Sequence, residues 1–218
     1  MKLLDLFSGT QSVASVFRER GWETYTIELD KSHDGIDWYE DIMKITAKDI
    51  LDRFGVPDVI WASPPCTTYS VSSIRYHRRK GDNGNLYPTS EFAAQSDELV
   101  KHTIALIKEL NPKFYFIENP RGALRKMDFM QELPRFTVTY CQYGSKLMKP
   151  TDIWTNMVEP KFLPMCTIKA PCHTRSPRGS QNGIQGMRDA KLKSIIPSQL
   201  CIHVADRCEE ELCVNKPI

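Results

Sequence analysis

Apolar and polar positions along the first two thirds of the chain predict strands and helices taking turns. Lys2–Phe7 is a short apolar run that stops at Ser8-Gly9, and a helical stretch follows to about Gly21. Glu23–Leu29 is rich in β-formers, Ile45–Phe54 has helical spacing until Gly55 stops it, and Asp58–Ala62 is a strand broken by Pro64-Pro65. Ser90 is placed to cap a long helix reaching about Leu110, with Leu99, Thr103, Leu106, Ile107 and Leu110 on one stripe. Lys113–Ile117 is a further strand closed by Glu118-Asn119-Pro120, and Phe136–Tyr143 and Asp152–Thr155 read as two more. After Asn156 the periodicity fades, and Pro197 then opens a last helix to about Leu212.

This order predicts an α/β fold: a doubly wound, mainly parallel sheet covered by helices on both faces, with a small irregular C-terminal insertion. The expected units are residues 1–156, an insertion at 157–190, and a segment at 191–218 returning to the first unit. Ligands of such sheets sit beyond the carboxyl ends of the strands. Ser8-Gly9, Glu28, Pro65-Cys66 and Glu118-Asn119 all follow strands.

Composition narrows the class. At 218 residues, 41% hydrophobic and 26% charged, the chain is long enough and apolar enough for a folded core rather than a disordered tract. No run of about 18 apolar residues occurs, so no membrane span is expected. An acid already at Asp5 argues against a signal peptide. Seven scattered cysteines, an odd number, read as reduced thiols of a cytoplasmic protein. The net charge of +2 is uneven: residues 142–199 hold nine Lys/Arg against three Asp/Glu, leaving the rest net negative. A basic C-terminal third suits a polyanionic partner, although a solvated surface gives the same asymmetry.

The most informative local run is Ser63-Pro64-Pro65-Cys66-Thr67-Thr68-Tyr69-Ser70. Two prolines stiffen the backbone directly before a loop-borne thiol, which nucleophilic catalysis uses when neighbouring positive charge lowers the thiol's pKa. A lone cysteine is more often a small buried hydrophobe; the prolines and the strand end shift the balance toward function. Glu118, leaving an apolar strand, is placed to hold or share a proton, with Asn119 to orient it. Gly9 puts backbone amides at a helix start, where an anionic group binds, although a single glycine there is more often turn geometry alone. Glu28 is placed for ribose hydroxyls, and Asp41-Ile42 for an adenine amino group beside an apolar wall.

In order along the chain, these pieces resemble the DNA cytosine-5 methyltransferase family. Asp5-Leu6-Phe7-Ser8-Gly9 is similar to its cofactor motif, Pro65-Cys66 to its nucleophile motif and Glu118-Asn119 to its acid motif. Gln142-Tyr143-Gly144 resembles the start of the next motif. The resemblance covers about residues 1–156 and, weakly, 188–212. It implies a fold of the class I S-adenosylmethionine-dependent methyltransferase type, with Cys66, Glu118 and Asn119 catalytic. S-adenosylmethionine would meet Phe7, Ser8, Gly9, Thr10, Ser12, Glu28, Leu29, Asp41, Ile42, Pro65 and Ser194. The implied reaction is methyl transfer to C5 of cytosine in double-stranded DNA, through a Cys66–C6 adduct on a flipped base.

Three departures stand out. The second glycine usual in the cofactor motif is missing, since Thr10-Gln11-Ser12 follows Gly9. Where the family supplies two arginines, this chain has Lys149-Pro150-Thr151, which leaves the support of cytosine O2 open. Only about 35 residues stand where most relatives carry a large target-recognition domain, so a partner subunit is an alternative source of recognition. The segment Ser70–Pro88, without periodicity and ending in Gly81-Asp82-Asn83-Gly84, corresponds to a mobile loop that closes over DNA. Its Arg75, Arg78, Arg79 and Lys80, with Lys149, Arg175 and Arg178, are the expected nucleic-acid contacts, and Gln181, Asn182, Gln185 and Arg188 add further polar groups. Cys166, Cys172 and His173, with Cys201, Cys208 or Cys213, have no standard zinc spacing, so no metal is assigned. Three rival readings survive: a tRNA cytosine-5 methyltransferase, a catalytically weak nucleic-acid-binding relative, and transfer of a modified group from a cofactor variant.

Overall fold

The computed structural model describes residues 1–82, 84–180, 184, 186–187 and 189–214. Asn83, Gln181, Asn182, Gln185 and Arg188 lie outside the described residues. The chain alternates β1 (Lys2–Leu6), α1 (Ser12–Glu19), β2 (Glu23–Glu28), β3 (Trp38–Tyr39), α2 (Ala47–Phe54) and β4 (Val59–Ala62). There follow α3 (Ile74–His77), the hairpin strands β5 (Arg78–Lys80) and β6 (Leu86–Pro88), and the long α4 (Glu91–Leu110). Then come β7 (Phe114–Pro120), β8 (Arg135–Thr139), β9 (Pro150–Thr155), α5 (Ala190–Ser194) and α6 (Ser198–Val214). Among the described residues no helix is long and apolar enough to cross a membrane.

Seven strands form one sheet in the order β3-β2-β1-β4-β7-β9-β8. The first five run parallel, while β9 enters antiparallel between β7 and β8. The predicted doubly wound, mainly parallel sheet is therefore present. Strand residues alternate between two buried faces, which explains their near-continuous apolar runs. Leu4, Leu6, Ile60 and Ile117 pack against α2 and α4, whereas Leu3, Val59, Trp61 and Phe116 pack against α1 and α6.

Capping decides several boundaries. Thr46 and Asp49 form a reciprocal capping box, so α2 begins at Ala47 rather than at Ile45. Ser90 caps α4 through the Ala93 amide as expected. The buried stripe of α4 is rotated slightly from the expected one: Val100 and Ile104 are in the core, and Leu99 is only partly buried.

Two stretches depart from the sequence expectation. The strand predicted over Phe136–Tyr143 ends at Thr139, and Tyr140–Tyr143 forms a 3-10 turn. Gly144 at φ 86° closes that turn, and the Ser145 amide bonds back to the Tyr140 carbonyl. Ser70–Pro88 is not structureless: it carries α3 and the β5–β6 hairpin. Its anchor is Arg78, whose buried guanidinium makes a two-pronged ion pair with Asp97 (2.7 and 3.0 Å), bonds Thr68, and lies over the Tyr69 ring.

Candidate active site

The strand order reverses at β1, so the loops leaving β1 and β4 diverge and open a crevice at the carboxyl end of the sheet. A cavity of about 1120 Å³ fills this crevice. Phe7, Ser8, Gly9, Thr10 and Ser12 line one end, after β1. Pro65 and Cys66 line it after β4, Glu118 from β7 and Lys149 from the start of β9. Arg178 and Ser194 close it from the C-terminal segment.

The β1 turn is built under backbone strain. Phe7, Gly9 and Gln11 all have positive φ, at 58°, 42° and 54°. Gln11 thus adopts the left-handed conformation for which glycine is favoured, at the place where the sequence departs from the motif. Its side chain is held by the Asp34 carbonyl at 2.7 Å. Glu28 ends β2 with one carboxylate oxygen accepting the Gly9 amide at 3.0 Å, the other accepting Leu29 and Asp30 amides. Leu29 is exposed, and Asp41 uses its carboxylate to cap the turn at Met43 while Ile42 is buried in the core. Leu29, Asp41 and Ile42 do not line the cavity, and Glu28 reaches it only through Gly9.

Cys66 follows two prolines and is half-buried. Its carbonyl accepts the Tyr69 and Ser70 amides, which winds the next residues into a tight turn. Asn119 donates to the Pro64 carbonyl at 2.8 Å. It therefore fixes the Cys66 loop to β7, where the sequence reading had it orient Glu118. The group that holds Glu118 is Tyr140, whose hydroxyl donates to the carboxylate at 2.9 Å. Sequence reasoning missed Tyr140, because a tyrosine in an apolar run signals core; only the turn at Gly144 brings it under β7. The close approach of the loop after Cys66 to the segment after β7 needs Gly122, where a Cβ would stand 2.3 Å from the Tyr69 carbonyl oxygen.

Electrostatics at the thiol run against the simple expectation of a lowered pKa. Burial first, and then the charge of Glu118, push the Cys66 thiol up, while Lys149 and Lys193 pull it down. Lys149 itself is buried, with its ammonium 4.4 Å from the Tyr140 ring centroid and donating to the Lys193 carbonyl at 2.7 Å. Burial lowers its pKa, and the facing Glu118 and Cys66 oppose that fall. Lys149 thus faces the site rather than an outer surface. Asp5, also in the lining, is pushed up to about 7 by burial.

The expected nucleic-acid contacts divide. Arg75, Arg79, Lys80 and Arg175 are exposed, and Arg178 borders the cavity. Arg78 is a correction: its guanidinium is fully buried and committed to Asp97 and Thr68, so it has no donor left for a phosphate. Arg121, exposed at the cavity rim directly after Glu118-Asn119-Pro120, was not singled out from the sequence.

Comparison with known proteins agrees with this geometry. The profile of the C-5 cytosine-specific DNA methylase family matches residues 1–144. A Frog virus 3 (isolate Goorha) protein named "Probable DNA (cytosine-5)-methyltransferase" is 32% identical over 181 residues, covering 79% of this chain and 78% of its own. Among solved structures, one bearing the name of a DNA modification methyltransferase encoded within an E. coli prophage superposes with TM-score 0.53 at 17% identity. That match covers 81% of this chain, which spans only 57% of the prophage protein, and it supports the fold alone. With the family profile covering the sheet from β1 through β8 and both chemical motifs, the chain belongs to the C-5 cytosine-specific DNA methylase family.

Proposed function

We propose that the protein transfers a methyl group from S-adenosylmethionine to C5 of cytosine in DNA, through a covalent Cys66 adduct on a base flipped out of the duplex. The observation that carries this reading is the meeting of Cys66, Glu118 and Lys149 on one cavity, with Tyr140 bonded to Glu118. The cofactor fits the other end. Gly9 leaves room beside the Glu28 carboxylate, since even a Cβ there would stand 3.8 Å from its nearer oxygen. Phe7, Ser8, Thr10, Ser12, Pro65 and Ser194 would hold it; Glu28 would take ribose hydroxyls, with Leu29, Asp41 and Ile42 beyond it. Bound there, S-adenosylmethionine supplies an electrophilic methyl group.

The chain's own residues do the rest. Cys66 releases its proton to solvent water in the cavity and adds as thiolate to C6 of cytosine. Glu118, having taken up a proton from solvent, shares it with N3, so the electron pair of the C5–C6 bond becomes available at C5. After C5 takes the methyl, loss of its proton to solvent water, return of the N3 proton to Glu118 and expulsion of Cys66 as thiolate restore the aromatic ring. Glu118 and Cys66 are coupled in this scheme. Once Glu118 has taken up a proton to share with the base, its negative charge fades, and one of the two causes that hold the thiol up is removed. Burial, the larger cause, remains, and Lys149 then favours the thiolate with no opposing charge from Glu118. Lys149 also stands in for one of the family's two arginines, and Thr151, buried with its hydroxyl on the Lys149 carbonyl at 3.1 Å, keeps that lysine in place.

An oligonucleotide with 5-fluorocytosine at the target tests the proposal, because fluorine blocks loss of the C5 substituent and traps the adduct. The expected result is a denaturant-stable complex with duplex DNA that needs S-adenosylmethionine and disappears in Cys66→Ser. An adduct only with RNA would move the assignment to a tRNA enzyme, and no adduct with either would leave a binding protein. Calorimetry on Cys66→Ser should still show cofactor binding.

A further inference from the structure

Four metal-binding side chains outside the active site converge on the turn that carries Tyr140. Cys141 comes from that turn, and Cys166, Cys172 and His173 come from the irregular insertion. Their ligand atoms all lie within 4.8 Å of one another. Cys166 Sγ is 3.1 Å from Cys172 Sγ and 3.5 Å from His173 Nδ1, and Cys172 Sγ is 3.6 Å from that nitrogen. Tetrahedral zinc with Zn–S bonds near 2.3 Å and Zn–N near 2.0 Å sets such pairs about 3.5–3.8 Å apart, so small adjustments admit an ion. We propose that Cys141, Cys166, Cys172 and His173 form a structural zinc site that fastens the insertion to the catalytic sheet.

Three further observations point the same way. His173 Nε2 lies 3.1 Å from the Ile168 carbonyl oxygen. A proton on Nε2 for that bond leaves the Nδ1 lone pair facing the thiols, the arrangement that orients a metal-bound histidine. Gln142 Nε2 approaches Cys172 Sγ at 3.7 Å and would donate to a thiolate. The backbone around the cluster is already fixed: the Cys166 amide bonds Thr139 Oγ1 at 2.9 Å, and the Thr174 amide bonds the Lys146 carbonyl at 2.8 Å. No standard cysteine spacing announces the site, because one ligand is supplied by a segment remote in sequence. Cys201 and Cys208, the sequence candidates for completing it, are instead buried in the α6 core.

Elemental analysis of the full chain, purified under reducing conditions without chelator from zinc-supplemented medium, tests the assignment. One equivalent of zinc per chain is expected. Cys172→Ser and His173→Ala should each lose most of it, while Cys213→Ser, an exposed cysteine outside the cluster, should keep it. Cobalt loaded into metal-free protein should show the intense visible bands of a tetrahedral thiolate site. Limited proteolysis within residues 160–180 should quicken after chelation even where Cys141→Ser fails to fold. Absence of stoichiometric metal, occupancy unchanged in both Cys172→Ser and His173→Ala, iron in place of zinc, or a Cys166–Cys172 disulfide in freshly purified protein would each overturn the proposal.

Discussion

Asp5 lines the cavity yet is almost wholly buried, and one carboxylate oxygen accepts the Ala14 amide at 3.3 Å. Burial pushes it up to about 7 from an ordinary value of 3.8, so the folded state holds its proton more tightly than the unfolded chain. Stability is therefore unpenalised at acid pH and falls as pH climbs from about 4 to about 7, by at most about 4 kcal/mol at roughly 1.4 kcal/mol per pH unit. Asp5→Asn should flatten that decline, with its melting temperature rising relative to the parent between pH 5 and pH 8. Parallel melting curves across that range would refute the assignment. Tyr140 supports a second prediction. Tyr140→Phe keeps the ring beside Lys149 and removes the donor to Glu118, together with the hydroxyl's weaker contact to Thr151. Loss of a hydrogen bond to a charged group, about 1.5–3 kcal/mol, should lower kcat roughly 10- to 100-fold. KM for the cofactor and the melting temperature should change little, and adduct formation with 5-fluorocytosine should slow in proportion. An unchanged kcat would show that Glu118 needs no such partner.

The hairpin after the nucleophile divides its cations between two jobs. Arg78 is a buried strut, so Arg78→Ala should destabilise the fold by about 3–5 kcal/mol in denaturant titrations, because Asp97 is left without its counter-charge. Arg79 and Lys80 point to solvent, so their joint replacement by alanine should spare stability, weaken DNA binding similarly on all sequences and reduce its salt dependence. Loss of stability in that double variant would mean that they too are structural. This division marks a limit of legibility. Parallel strands, Ser90 and the Pro65-Cys66 and Glu118-Asn119 pairs were readable, because periodicity and strand-end chemistry are local. The run of three cations after His77 looked uniformly solvated, since nothing local announces that Asp97 from α4 will neutralise one of them. Tyr140 and Cys141 were hidden for the same reason: their partners come from β7 and from the insertion.

On the scale of the whole molecule, the segment between β9 and α5 is small and the sheet is complete without it. Reading one base pair takes a well-placed side chain worth about 1–3 kcal/mol, and a long site needs several on a supported surface. Lys161, Lys169, Arg175 and Arg178 favour phosphate contacts instead. The expected recognition site is about two to four base pairs by the same reasoning, with salt-sensitive affinity. Bisulfite sequencing of a methylated random library reads it directly. A strict six-base consensus would point to a partner subunit. The packing of α6 carries a different consequence. Leu200, Val204 and Cys208 cover the same sheet face as Leu3, Val59 and Trp61, and Arg20 and Trp22 grip Glu209. During synthesis the ribosome therefore delivers the first strands long before their cover, and an apolar face waits exposed to aggregation. A nascent chain stalled before Ser198 should need a chaperone to stay in solution, and one released beyond Leu212 should not.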